Sequence, residues 1–247
     1  MNINSREFTE VFDFLSSYLQ GVDRKEVEGI SDSIFITRYK EDDLIVQEGS
    51  LASTVYAVRD GLVKVGKYAI SDKRRVLRFL TSGGWFGLES LFMEKQESNI
   101  QYARAVTDAE LILVERGAFR ELLKSQPDSL FSLCNWLSRE VATLELKLTR
   151  DFAEGAKQNL CFLLVALAER FGEDVESGTL VNLKLPNHTL ANLLGITTET
   201  LRRLIKKMSD DEIIRSDGTR ITIKDKESLK QTANINDFYL DLLKDTF

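Results

Sequence analysis

The sequence predicts an α+β protein in three parts: an antiparallel β-barrel or β-sandwich, a long amphipathic helix and a winged helix-turn-helix. Three observations predict it. Short apolar runs broken by turn residues fill the stretch from Ser33 to Glu115. A heptad of apolar residues follows Pro127. After residue 182, a short helix, a glycine turn, a second helix and two short strands succeed one another.

The chain opens on Phe8, Val11, Phe12, Leu15 and Leu19 at helical spacing, an amphipathic helix over about residues 5–20. The runs IFITRY, LIVQEG, TVYAV, LVKVGKYAI, VLRFL, QYARAV and LILVE then read as strands. Asp60-Gly61 between two of them is a hairpin signal, because both central positions of such a turn favour positive φ. Ser82-Gly83-Gly84 and Thr107-Asp108 read as further turns. Leu130, Cys134, Leu137, Val141, Leu144 and Leu148 are spaced 4, 3, 4, 3 and 4, an a/d seam over about five turns flanked by charge. A helix packed on its own core is one reading. The narrow seam favours a coiled coil of two chains, since a core-covering helix usually carries a wider apolar stripe. Gly155 loosens that helix before Asn159–Phe171, which is apolar on most faces and therefore buried. Residues 172–182 (GEDVESGTLVN) read as a polar linker. A short helix around Thr189–Leu194, Gly195, a helix around Thr198–Met208 and two strands about Asp217-Gly218 complete the compact series. Ile235, Phe238, Leu242 and Leu243 at helical spacing suggest a C-terminal helix that packs on its own domain or clamps two domains.

Composition excludes much. The 247 residues carry 43% hydrophobic and 29% charged side chains, an ordinary globular balance with room for about two domains. No apolar stretch approaches the roughly 20 residues of a membrane span. The start of the chain lacks a basic-then-apolar export signal. One histidine, His188, and two cysteines, Cys134 and Cys161, cannot furnish a four-ligand zinc site, so no metal is expected. They offer no disulfide framework either, which points to the cytoplasm. Nor do they suggest a base–nucleophile pair, so an enzyme is not expected.

The second helix of the C-terminal series carries the informative chemistry. At about 100° per residue, Glu199, Arg202, Arg203 and Lys206 share one arc, and Leu201, Leu204, Ile205 and Met208 the opposite one. Thr197 is placed to cap the helix, whose first turn, from Thr198, suits phosphate contacts. Arg can donate two bonds to guanine and Glu can accept from cytosine in a major groove. The net charge of −6 hides an asymmetry. Residues 181–224 hold eight Lys/Arg against five Asp/Glu, a local +3, leaving −9 on the remainder.

The segment PNHTLANLLGITTETLRRLIKKM resembles the helix-turn-helix of the CRP/FNR superfamily of bacterial transcription regulators, through Leu190-Ala191, Leu194-Gly195-Ile196-Thr197, Glu199-Thr200 and Arg203. DLIVQEGSLASTVYAVRDGLVKV and FLTSGGWFGLESLF are similar to the family's N-terminal β-roll, a cyclic-nucleotide-binding-like double-stranded β-helix of jelly-roll type. The heptad helix sits where the family has its dimerisation helix. The resemblance implies a sensor domain over 1–127, a dimerisation helix over 128–154 and a DNA-binding domain with a C-terminal extension over 155–247. It implies a homodimer on inverted-repeat double-stranded DNA, with RNA polymerase a further partner if the protein activates. Glu199 and Arg203 would read base edges and Arg202 would tune the reading. Thr197, Thr198, Lys206, His188 and the wing's Arg220 would support binding.

The resemblance places an effector pocket at Gly84, Phe86, Gly87, Leu88, Glu89, Asn99 and Ile100. Members that bind cyclic AMP place an Arg-Ser or Arg-Thr pair, and an acid directly after Phe-Gly, around the cyclic phosphate. Here Leu88 takes the acid's place, with Glu89 one later, and Asn99-Ile100 replace the pair. A cyclic phosphate would lack its guanidinium, so cyclic AMP is disfavoured. An iron–sulfur cluster, which takes about four cysteines, is disfavoured too. No cofactor is expected, and the effector is open. Two alternatives stand beside this reading. One is a regulator without a small-molecule effector, controlled by abundance or by thiol oxidation. The other is a ligand-binding module that acts through protein contacts.

Overall fold

The computed structural model describes residues 4–68, 74–93, 97–153, 155–183, 186–217, 220–235 and 240. The chain divides into two compact units, Met1–Ser138 and Arg139–Phe247.

The first unit opens with α1 (Ser5–Tyr18) and α2 (Arg24–Gly29). A capping box starts α1: the Asn4 side chain accepts from the amides of Arg6 and Glu7, and the Glu7 carboxylate accepts from the amide of Asn4. Among the described residues eight strands follow: β1 (Ile34–Tyr39), β2 (Leu44–Val46), β3 (Thr54–Asp60), β4 (Val63–Tyr68), β5 (Arg74–Leu80), β6 (Trp85–Phe86), β7 (Tyr102–Ala105) and β8 (Ala109–Glu115). The short α3 (Glu89–Phe92) lies between β6 and β7, and α4 (Arg116–Ser125) follows β8. The strands form two antiparallel four-stranded sheets, ordered β1-β8-β3-β6 and β2-β7-β4-β5. This is the jelly-roll-like sandwich that the sequence predicts. Val55 and Val114 from one sheet pack with Val11 and Leu15 of α1 and Phe119 of α4, while Val63, Val65 and Ala103 meet Val58 and Leu111 between the sheets.

Asp60-Gly61 does not close a hairpin. Strand β3 pairs with β8 and β6, and β4 with β5 and β7, so this turn hands the chain from one sheet to the other. Only Gly61 takes positive φ, at 87°, and a β-carbon there would lie 2.4 Å from the carbonyl oxygen of Asp108. Glycine is therefore required twice over, by backbone angle and by the close approach of the turn that leads into β8.

Helix α5 (Pro127–Ala153) begins in the first unit and ends in the second. In the second unit, α6 (Ala156–Phe171) is a separate helix buried from Leu160 to Ala168, as its all-round apolar sequence predicts. The stretch read as a polar linker is instead a hairpin of β9 (Gly172–Val175) and β10 (Gly178–Val181). Its polar composition is that of an exposed edge strand, with β9 exposed throughout, while Val181 points into the core. Helices α7 (Asn187–Leu193) and α8 (Thr198–Asp210) come next, then β11 (Ile214–Asp217), β12 (Arg220–Ile223) and α9 (Lys226–Thr232). The sheet order β11-β12-β10-β9 makes the wing a continuation of that hairpin. Of the expected C-terminal helix, only Ile235 and the buried Leu240 fall among the described residues.

Charge stitches α1 to the sandwich. Arg59 bridges Glu10 of α1 at 2.7 Å and Glu110 of β8 at 2.9 Å, and Arg38 of β1 takes the other Glu110 oxygen at 2.7 Å. The Arg59 hydrogen bond, with a smaller contribution from Arg6, holds the Glu10 carboxyl below the usual carboxylate range despite partial desolvation. A lowered folded-state pKa stabilises at pH above the ordinary value and loses that stabilisation as pH falls through the folded value. Glu10→Gln should therefore be less stable than wild type above about pH 4.5 and converge with it on acidification, read by urea denaturation from about pH 3 to pH 7. Gly61→Ala should cost about 2–4 kcal/mol in the same assay, since it combines a left-handed backbone with overpacking.

Candidate nucleic-acid interface

The second helix of the C-terminal series is seated by one face and offers the other. Leu201, Ile205 and Met208 of α8 are buried, whereas Glu199, Arg202, Arg203, Lys206 and Lys207 are exposed. This is the division that the 100° spacing predicts. Thr197 is the N-cap: its Oγ1 accepts from the Thr200 amide at 3.1 Å and lies 2.9 Å from the Thr200 hydroxyl. The half-buried Thr198 is the first helical residue. Its amide and its neighbours' are left facing solvent at the positive end of the helix dipole. Gly195, at φ 63°, makes the turn from α7 with no atom near its absent β-carbon, so there the backbone angle alone selects glycine. The turn is tied down by the Ile196 amide, which donates to the Ala191 carbonyl at 3.0 Å.

Among the described residues, no ion pair engages Arg202, Arg203 or Lys206. Asp210, Asp211 and Glu212 gather at the far end of α8, which at 1.5 Å per residue is about 18 Å from its start. The bases thus face outward through the first two-thirds of the helix, with Glu199 the one acid among them and Asp210 a turn beyond Lys206. His188 is exposed on α7, and Arg215 and Arg220 are exposed on the paired strands of the wing. The turn residues 218 and 219 lie outside the described residues. Such a surface can meet a polyanion by phosphate contacts and present Glu199, Arg202 and Arg203 to base edges.

The heptad residues divide between two environments. Leu130, Leu137 and Leu144 are half-buried, the first two against the core under α1. Cys134 is exposed, Val141 is 54% exposed and Leu148 57%. Phe131, 77% exposed, extends this second row and was missed because it breaks the strict a/d spacing.

The β-roll contains a narrow pocket lined in part by Phe86, Gly87, Glu89, Asn99 and Ile100, five of the seven residues expected there. Leu88 and Gly84 do not line it. Leu88 caps α3 and turns into the core with Val11 and Leu15, and Gly84 closes a turn by donating to the Thr81 carbonyl at 2.8 Å. The Asn99 amide is spent on the neighbouring loop, donating to Ser50 Oγ at 3.0 Å and the Leu51 carbonyl at 3.1 Å. Gln101, Ser90 and Tyr102 also line the pocket and were not foreseen.

Among the described residues, no group of three or more His, Cys, Asp or Glu gathers in a way that could hold a metal ion, and no helix is long and apolar enough to cross a membrane.

Comparison with known proteins agrees with this architecture. The family described as cyclic nucleotide-binding domain matches residues 36–126, and the Crp-like helix-turn-helix domain matches residues 158–232. The cAMP-activated global transcriptional regulator CRP of Haemophilus influenzae is 22% identical over 221 residues, 89% of this chain and 98% of that protein. The structure of FixK2 from Bradyrhizobium japonicum superposes with a TM-score of 0.72 at 20% identity, covering 82% of this chain and 98% of its own. A transcriptional regulator of the CRP/FNR family from Thermus thermophilus gives a TM-score of 0.65 at 26% identity, covering 81% and 99%. With a cyclic-nucleotide-binding domain and a Crp-like helix-turn-helix in this order on one chain, the protein belongs to the CRP/FNR superfamily of DNA-binding transcription regulators.

Proposed function

We propose that the protein is a cytoplasmic, non-enzymatic transcription regulator that binds an inverted-repeat DNA site as a homodimer, each α8 entering a major groove. The observation that carries this reading is the outward array of Arg202, Arg203 and Lys206, unpaired among the described residues, on a helix pinned by Leu201, Ile205 and Met208. Glu199 and Arg203 read base edges, Arg202 tunes the choice, and Thr198, His188 and Arg220 reach the backbone. Thr197 acts through the cap. Pairing through α5 is supported by the exposed apolar row of Phe131, Cys134, Val141 and Leu148, which leaves large side chains in water on one chain alone. An activator of this kind would touch RNA polymerase as well. Cyclic AMP is not its effector on this reading, because Asn99 and Ile100 bring no cation to a cyclic phosphate.

Selection of bound sites from random DNA should return two half-sites about one helical turn apart. Arg203→Ala should weaken the selected site by about 1–3 kcal/mol and relax one base position, and an unchanged affinity and base preference would refute the assignment. Raising salt from about 50 to 200 mM should cost a thousandfold or more in affinity if six or more phosphates are contacted. A helix-turn-helix used for protein contact would show little such dependence. Val141→Glu and Leu148→Glu should give monomers in sedimentation, since both side chains are largely exposed on the single chain and should leave its own core intact. A short bis-maleimide should link two wild-type chains through Cys134, and Cys134→Ser should abolish the link. Dimers that survive both glutamate variants would remove the pairing through this row.

A further inference from the structure

Strand β5 places a cation where its pattern calls for an apolar side chain. Arg78 and Leu80 share one face of the strand, opposite Val65 and Val63 of β4, and both are buried, Arg78 at 7% exposure. The Arg78 guanidinium donates to Gln101 Oε1 at 3.2 Å, lies 3.7 Å from Glu89 Oε1, and sits 6.0 Å from the ring centroid of Trp136 on α5. Glu89 and Gln101 are pocket-lining residues of the β-roll. With them engaged inward, the remaining cavity is about 10 Å³. That is roughly the space one water needs, against the 300 Å³ or more of a pocket for a nucleotide-sized molecule.

Burying a guanidinium is costly unless its partners are in place. A leucine or methionine would fill an inward position without that cost, so packing alone does not account for arginine. Its placement does join three things that a diffusible effector would otherwise have to join: the acid after the β6 turn, the polar end of β7, and the first half of α5. Building on the DNA-binding reading, we propose that Arg78 is a built-in occupant of the β-roll, holding Glu89, Gln101 and Trp136 in the arrangement that an effector would impose, so that the protein binds its DNA site without a small molecule.

The test starts from wild-type protein unfolded in guanidinium, freed of small molecules by dialysis, and refolded. Its melting midpoint should equal that of the protein as purified, and its affinity for the selected DNA should be unchanged with no additive. Arg78→Ala should weaken specific DNA binding by about tenfold, with Arg78→Lys in between. Should Arg78→Ala fail to fold, Glu89→Gln, of nearly equal volume, should show a weakening of the same sign. A small molecule released from native protein at about one equivalent per chain, together with a lower melting midpoint after stripping, would overturn the proposal. So would wild-type affinity in folded Arg78→Ala or in Glu89→Gln. If the wild type binds no DNA even as purified, the DNA-binding reading falls, and the melting and released-ligand measurements still decide what fills the pocket.

Discussion

The seating of α8 on Leu201, Ile205 and Met208 is the constraint from which the rest of the exposed basic surface follows. Once three apolar residues at i, i+4 and i+7 are buried, the helical repeat leaves Arg202, Arg203 and Lys206 no place but solvent. Gly195 and the Thr197 cap set where that repeat starts, and so decide which side chains the outward arc receives. A shift of one residue at the cap would rotate the arc by about 100° and bury a guanidinium. The wing rests on the same core through Ile214, Ile221 and Ile223. Recognition chemistry is therefore fixed by apolar packing a few ångströms beneath it.

How much of this the sequence discloses depends on whether a residue's environment is local. The two faces of α8, its cap and the all-round burial of α6 follow from helical spacing and appear as expected. The strand runs of the sandwich are legible too, because alternation is a property of each strand alone. What fails is pairing. Asp60-Gly61 has hairpin composition, yet its neighbours join different sheets, and only the position of Asp108 across the turn reveals why the glycine is there. The hairpin at 172–182 is hidden for a similar reason: its exposed first strand gains its partners from β10, and β10 from the distant β12. In the β-roll pocket, expected positions such as Leu88 turn away because α3 starts there. Arg78 did leave a mark, as a charge on the inward phase of an alternating strand, and that phase can be read once its neighbour Leu80 and its cross-strand partner Val65 are known to face in.

The acidity of the chain also acquires a place. Glu10, Glu110 and Asp108 are engaged with Arg59, Arg38 and Lys40 on the sandwich, where they join α1, β1, β3 and β8. These are exposed or half-exposed pairs, each worth at most about 1 kcal/mol, so their effect lies in the network more than in any one bond. In the C-terminal unit Asp210 ends α8 one turn beyond Lys206 and about 12 Å along the axis from Arg202. Salt screens charges beyond about 8–10 Å, so Asp210 moderates the field at Lys206 more than at Arg202. A net charge of −6 is thus compatible with a locally cationic first half of α8.

Helix α5 shows how one heptad can serve two purposes. The row of Leu130 and Leu137 leans on the chain's own core, together with Trp136, while the row of Phe131, Cys134, Val141 and Leu148 stays exposed. The two rows are less than half a turn apart on one helix, so a side chain that packs on the β-roll lies beside one that is left in solvent. In the proposed dimer the exposed row meets its symmetry mate, and the contacts that fix the inward row also fix which side chains that mate meets. The residue that holds Trp136 from below is Arg78, so on the proposed reading the register of α5 is written into the chain by a side chain of its own sensor domain.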